Sequence, residues 1–235
     1  MLNTRRGIPF EDLFGAPTVL ELRSVGDDDE KCFLMALLLV QLYEYQEQMY
    51  RWNPRQGLRH VTVIEESHRL LGSAGPAASM EMANPRGKAV ESFANMLAEI
   101  REYGEGFLII DQTPSKLIPD VRKNTSTKIL HRLSARDDRD AMGDAMGMTE
   151  DQKLMIPRLR VGDAIFYAQD QDKPIWIKVP PVKAGVNPVT DAAVRDRMAE
   201  QAKQMARTEM DLLAQQGSRL ASRMLRLSQS IRKQG

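Results

Sequence analysis

Cysteine is almost absent from the sequence: Cys32 is the single one in 235 residues. That excludes a disulfide framework within the chain and fits a reducing compartment. Cys32 sits in the apolar run 32–40, CFLMALLLV, where the expected role is that of a small buried hydrophobe. This run falls far short of the ~20 apolar residues that cross a membrane. Residues 1–10 hold no signal-like apolar region. The expected location is therefore the cytoplasm, with no membrane span. A surplus of charge is also missing, since Lys+Arg 33 against Asp+Glu 32 leaves a formal net charge of +1. Global charge thus says nothing for or against nucleic acid. Histidine is scarce too: His60, His68 and His131, dispersed and with one cysteine, are too few ligands for a zinc site. No Gly-x-Ser-x-Gly elbow occurs, which removes the usual support for serine-hydrolase chemistry.

What is present reads as alternating strands and helices. Residues 17–23, PTVLELR, are rich in β-formers, and 26–30, GDDDE, supply an aspartate cap before a helical period. Leu34, Leu37, Leu38, Leu42, Tyr45 and Met49 recur at steps of three and four, which predicts a long helix over 29–50 with one buried stripe. The run 60–65, HVTVIE, is the best central strand, of the type covered on both faces. Residues 72–87 read as a surface loop and 88–103 as a helix through Val90, Phe93, Met96, Leu97 and Ile100, closed by Gly104. Residues 107–111 and 127–132 predict two further strands. Residues 164–167 and 175–179 predict an antiparallel edge hairpin. Such alternation implies an α/β fold with a mostly parallel sheet flanked by helices. Pro180-Pro181 and Asn187-Pro188 then punctuate a linker, so the expected division is 1–182 for the α/β core and 183–235 for a linker and helical tail. The last stretch, 217–235, carries Arg219, Arg223, Arg226, Arg232 and Lys233 with no acid. It reads either as a solvated helical face or as a nucleic-acid or partner-binding tail.

The chemistry concentrates in 61–71, VTVIEESHRLL, where two carboxylates stand at the end of an apolar strand. In an open α/β sheet that edge is where ligands bind. One acid there can hold a magnesium ion through its waters, and the next can polarise a water that attacks a phosphoryl group. Glu65-x-x-His68 also matches half of a di-iron carboxylate site, but such a site needs a second copy. The other histidines, His60 and His131, follow Gly57 and Lys128 at that spacing, which argues against it. Paired acids at a helix start also favour the positive end of the helix dipole without any catalysis.

A hydrophobic strand ending in Glu-Glu-Ser-His-Arg resembles the Walker B motif of the HerA/FtsK-type P-loop ATPases, including the type IV secretion and conjugation motors. Downstream, 101–114, REYGEGFLIIDQTP, is similar to the helix end, strand and Gln-x-Pro that follow in that family. The stretches 124–132, NTSTKILHR, and 159–166, LRVGDAIF, resemble its later strands, so the likeness covers roughly residues 14–180. The resemblance implies a RecA-like, partial P-loop core that binds ATP and Mg²⁺. It implies Glu65 as the magnesium acid acting through water, Glu66 as the catalytic glutamate, and Gln112 as a sensor of the γ-phosphate or attacking water. Arg101 is then an arginine finger for a neighbouring subunit, its rival role being a surface cap at a helix C-terminus. Asp111 stands where the family commonly has Thr or Ser.

The phosphate-gripping Gly-x4-Gly-Lys-(Ser/Thr) is missing. The nearest approach, 82–89, MANPRGKA, lacks the first glycine and the hydroxyl and leaves Lys88 an ordinary helix-start residue. The chain is expected to be a fragment, one half of a split protein or a degenerate descendant, inactive as an ATPase on its own. The expected partners are the region bearing the missing loop, further copies in a homo-hexamer, DNA, and a nuclease or secretion component. The resemblance points to a DNA translocase or helicase half-domain. The alternative is a non-catalytic, ATPase-derived scaffold that recruits partners through its terminal helix.

Overall fold

The protein is described by a computed structural model that covers residues 8–23, 25–54, 57–72, 93, 95–97, 99–181, 189–200, 202 and 203. The chain forms two compact units, Met1–Pro181 and Val182–Gly235. In the second, residues 191–200 are helical and exposed, and the basic stretch 217–235 lies outside the described residues.

The first unit begins with a short helix, α1 (Phe10–Phe14), and then the long helix α2 (Asp28–Trp52). The aspartate signal is used as the sequence predicts: the Asp27 side chain accepts from the Glu30 amide at 2.7 Å, and Asp28, Asp29 and Glu30 fill the positive first turn. The buried seam is rotated from the predicted one. Cys32, Leu39, Leu42 and Gln46 are buried, whereas Leu37 is exposed. Apolar residues occupy almost every position of 32–40, so periodicity leaves the phase open and packing chooses it. Residues 17–22 form no strand and have no ladder partner among the described residues, and Val19 is 86% exposed. High β-propensity alone does not make a strand.

Strands β1 (His60–Ile64) and β2 (Glu105–Ile109) pair in parallel, in register from His60 opposite Glu105 to Ile64 opposite Ile109. A four-residue helix, α3 (His68–Leu71), follows β1. Residues 93, 95–97 and 99 are helical and run into a 3₁₀ turn, Ile100–Tyr103, closed by Gly104 at φ 85°. Residues 73–92, which include most of the predicted loop and Lys88, lie outside the described residues. Leu42, Leu70, Leu71, Phe93, Ile100 and Val121 form the core between α2, α3 and the inner face of this sheet, each contributing about 1.5–3 kcal/mol by leaving water. β1 is not covered on both faces as its composition suggests: Val61 is 49% and Val63 53% exposed, and its buried face carries His60, Thr62 and Ile64.

A Pro-bounded connection with helix α4 (Pro119–Asn124) leads to β3 (Thr127–Leu130). β3 does not join the parallel pair. It pairs antiparallel with β4 (Asp163–Ala168), which pairs antiparallel with β5 (Ile175–Lys178) in the predicted hairpin. Between β3 and β4, helices α5 (Arg136–Ala145) and α6 (Glu150–Lys153) help close a second core of Leu130, Met146, Ile156, Leu159 and Ile165. The fold class is α/β, as expected, with a small parallel sheet flanked by helices and a separate antiparallel three-stranded sheet.

Candidate functional site

β1 and β2 end side by side, so the residues that follow each are neighbours although 43 or more positions apart in sequence. One more ladder bond, from Ile110 N to Ile64 O at 2.9 Å, extends the pairing past the strand ends. β1 must then turn sharply into α3. Glu66 takes the turn at φ 50° and is the one non-glycine residue with positive φ among the described residues. That conformation costs an L-residue roughly 1–2 kcal/mol and recurs where a backbone is held to aim a side chain. Ser67 completes the turn from full burial, its hydroxyl donating to Ile110 O at 3.2 Å and to Asp111 Oδ2 at 3.0 Å.

The turn brings Glu66 against Gln112. Gln112 Nε2 donates to Glu66 Oε1 at 2.8 Å, and Glu66 Oε2 lies 3.8 Å from His68 Nδ1. Beneath them sits Asp111, its side chain 3% exposed. Burial pushes its carboxyl up. The amides of Thr113 and His68, with the His68 and Ser67 side chains, outweigh that and hold it below the ordinary aspartate value. Glu65 is exposed and has no hydrogen-bond or ion-pair partner among the described residues.

The structure therefore unites Glu65, Glu66 and Gln112 at the carboxyl end of the parallel pair, the edge where α/β sheets bind ligands. Arg101 is not part of this group. It lies exposed in the 3₁₀ turn before β2, at the opposite end of a five-residue strand and so roughly 16 Å away along it. Sequence reasoning also passed over the role of Asp111. The visible signal was an acid directly after a β-rich run, in line with the acids that end β1.

Chemically, Glu66 is a half-exposed carboxylate with one oxygen fixed by an amide and capacity left to accept from a water. Glu65 suits a magnesium ion, which keeps its waters and takes one or two carboxylates. No group of three or more metal-ligating side chains occurs among the described residues. The phosphate-gripping motif is absent from the sequence. The residues present thus fit the acidic side of a magnesium–nucleotide site.

No family model matches the chain, and no curated protein matches it either. Solved structures do. VirB4 of Thermoanaerobacter pseudethanolicus superposes with a TM-score of 0.50 at 20% identity, over 69% of this chain and 40% of that one. The DNA-packaging ATPase B204 of Sulfolobus turreted icosahedral virus gives 0.45 at 13% identity, over 76% and 79%. The pCW3 conjugation coupling protein TcpA gives 0.45 at 17% identity, over 65% and 44%. At these identities the likeness speaks of fold, and the VirB4 superposition carries it. Over that span the chain shares the α/β fold of VirB4. It spans two fifths of the VirB4 chain.

Proposed function

We propose that this chain is the hydrolytic half of an ATPase motor, contributing the acids and the sensor while another stretch of polypeptide grips the phosphates. The observation that carries the reading is the 2.8 Å hydrogen bond from Gln112 to Glu66 at the carboxyl end of the β1–β2 pair. Bound ATP and Mg²⁺ would supply the phosphoryl group and the neutralising charge. Glu66 accepts a hydrogen bond from the attacking water, aligns it and draws off its proton. Gln112 holds Glu66 in place and reports on the same spot. Glu65 holds the ion's water shell. Arg101, placed away from these groups, acts on the nucleotide of a neighbouring subunit, which requires a ring such as a hexamer. The working polymer is DNA, or protein in a secretion setting, and the location is the cytoplasm.

The test is magnesium-dependent ATP hydrolysis by the tagged chain isolated from its source cells with its native assembly. Glu66→Gln should lower turnover by about 100-fold or more while nucleotide binding persists. Unchanged turnover would remove Glu66 from the chemistry. The purified 235-residue chain alone should release no phosphate from ATP, and robust release would overturn the division of labour.

The acid-free basic stretch 217–235 favours a second reading, a non-catalytic scaffold that recruits a nuclease or secretion partner through its terminal helix. Under that reading Glu66→Gln leaves the assembly's turnover unchanged, whereas deletion of residues 217–235 abolishes recruitment.

A further inference from the structure

We infer that Asp111 is a positioning residue: acting through His68 and Ser67, it fixes the Glu66 carboxylate opposite Gln112. This rests on the hydrolytic reading of the same site and deepens it.

Asp111 reaches both segments of the site at once. From the β1 side, its carboxylate accepts the His68 amide at 2.6 Å, the Ser67 hydroxyl at 3.0 Å and His68 Nδ1 at 2.9 Å. From the β2 side, it accepts the Thr113 amide at 2.8 Å and the Thr113 hydroxyl at 3.3 Å. Five donors converge on one buried side chain, and a group that only accepts can satisfy them all. An asparagine would turn a donor toward either the His68 or the Thr113 amide and open one side of the buckle.

The geometry also sets the histidine. Nδ1 faces Asp111 at 2.9 Å and Glu66 Oε2 at 3.8 Å, both carboxylate oxygens, so Nδ1 carries the proton. The second ring nitrogen is left as an acceptor in the neutral ring. Glu66 is then hydrogen-bonded on Oε1 by the Gln112 amide, with Oε2 standing 3.8 Å from the edge of the His68 ring. The backbone at residue 66 is held in its left-handed turn, which sets the direction in which the Glu66 side chain leaves the chain. Releasing Asp111 frees residues 66–68 together and lets Glu66 swing. Misplacing a reacting group by about 1 Å costs on the order of 100-fold in rate without touching binding.

The experiment pairs a spectroscopic and a kinetic measurement. Nitrogen-15 NMR of the labelled full chain should show His68 protonated at Nδ1. An Nε2-protonated ring in the wild-type chain would overturn the inference without any variant having to fold. In the native assembly, Asp111→Asn should lower kcat for ATP by 10-fold or more with KM within about twofold. His68→Asn, whose amide can replace the Nδ1 proton, should retain turnover within about threefold, whereas His68→Ala should match Asp111→Asn. If Glu66→Gln abolishes turnover while Asp111→Asn leaves kcat intact, the positioning role alone fails. If Glu66→Gln has no effect, the hydrolytic reading itself fails.

Discussion

Each end of the β1–β2 pair carries a glutamate flanked by a histidine and a side-chain amide, and the two differ in what is left free. At the amino end Glu105 is closed off. Its side chain is 0% exposed and accepts from Gln46 Nε2 at 3.0 Å, from Thr62 Oγ1 at 2.7 Å and from His60 Nδ1 at 2.7 Å. At the carboxyl end Glu66 has one hydrogen bond among the described residues, is 43% exposed and sits on a left-handed backbone. The same functional groups, six positions apart counted along β1 from His60 opposite Glu105 to Glu66, serve cohesion in one place and remain available for chemistry in the other. A fully buried carboxylate that accepts three hydrogen bonds fastens α2 to the sheet, because Gln46 belongs to the helix seam. Only the carboxylate with spare capacity can accept a proton from a water.

The contrast breaks most sharply at the buried end. Glu105→Ala leaves the buried Gln46 donor and the part-buried donors of His60 and Thr62 facing a void and should destabilise the unit by about 3–5 kcal/mol, read from urea unfolding. If the loss were within 1 kcal/mol, the amino end would not be a structural clasp. A second change there tests the backbone rather than the charge. Gly104 has φ 85°, and an added Cβ would stand 2.7 Å from the Gly57 carbonyl oxygen and 2.9 Å from Arg59 Cγ. Gly104→Ala should therefore cost about 2 kcal/mol in the same assay. A variant as stable as the parent would show that this end yields easily.

How much of this was readable beforehand depends on whether one segment carried the signal. The start of α2 was legible because Asp27 and three acids lie together, and the β4–β5 hairpin because both strands and their turn are contiguous. That Glu66 and Gln112 stand together was legible because each closely follows an apolar strand, and the two strands pair in parallel. The His68–Asp111 link was not, since it joins residues 43 apart that meet only once the strands are paired. Gln46 in the buried seam was invisible for the same reason: its partner Glu105 is 59 residues away. β3 was placed in the parallel sheet by the rhythm of alternation alone, whereas its partner β4 comes later in the chain.

The smallest effect falls on the open end and has the opposite sign. Glu66→Gly removes a Cβ that the left-handed turn disfavours by roughly 1–2 kcal/mol. It also adds glycine's unfolded-state freedom, which costs about 0.5–1 kcal/mol. The single hydrogen bond from Gln112 is lost, but both groups stay solvated, so little is added to the debit. The net should be a change of about 1 kcal/mol or less, neutral or stabilising, while turnover of the native assembly disappears. A side chain whose removal leaves the fold intact and stops the reaction is one kept for chemistry. If Glu66→Gly instead destabilised the chain as much as Glu105→Ala, both glutamates would be clasps, and the strain at residue 66 would have no catalytic meaning.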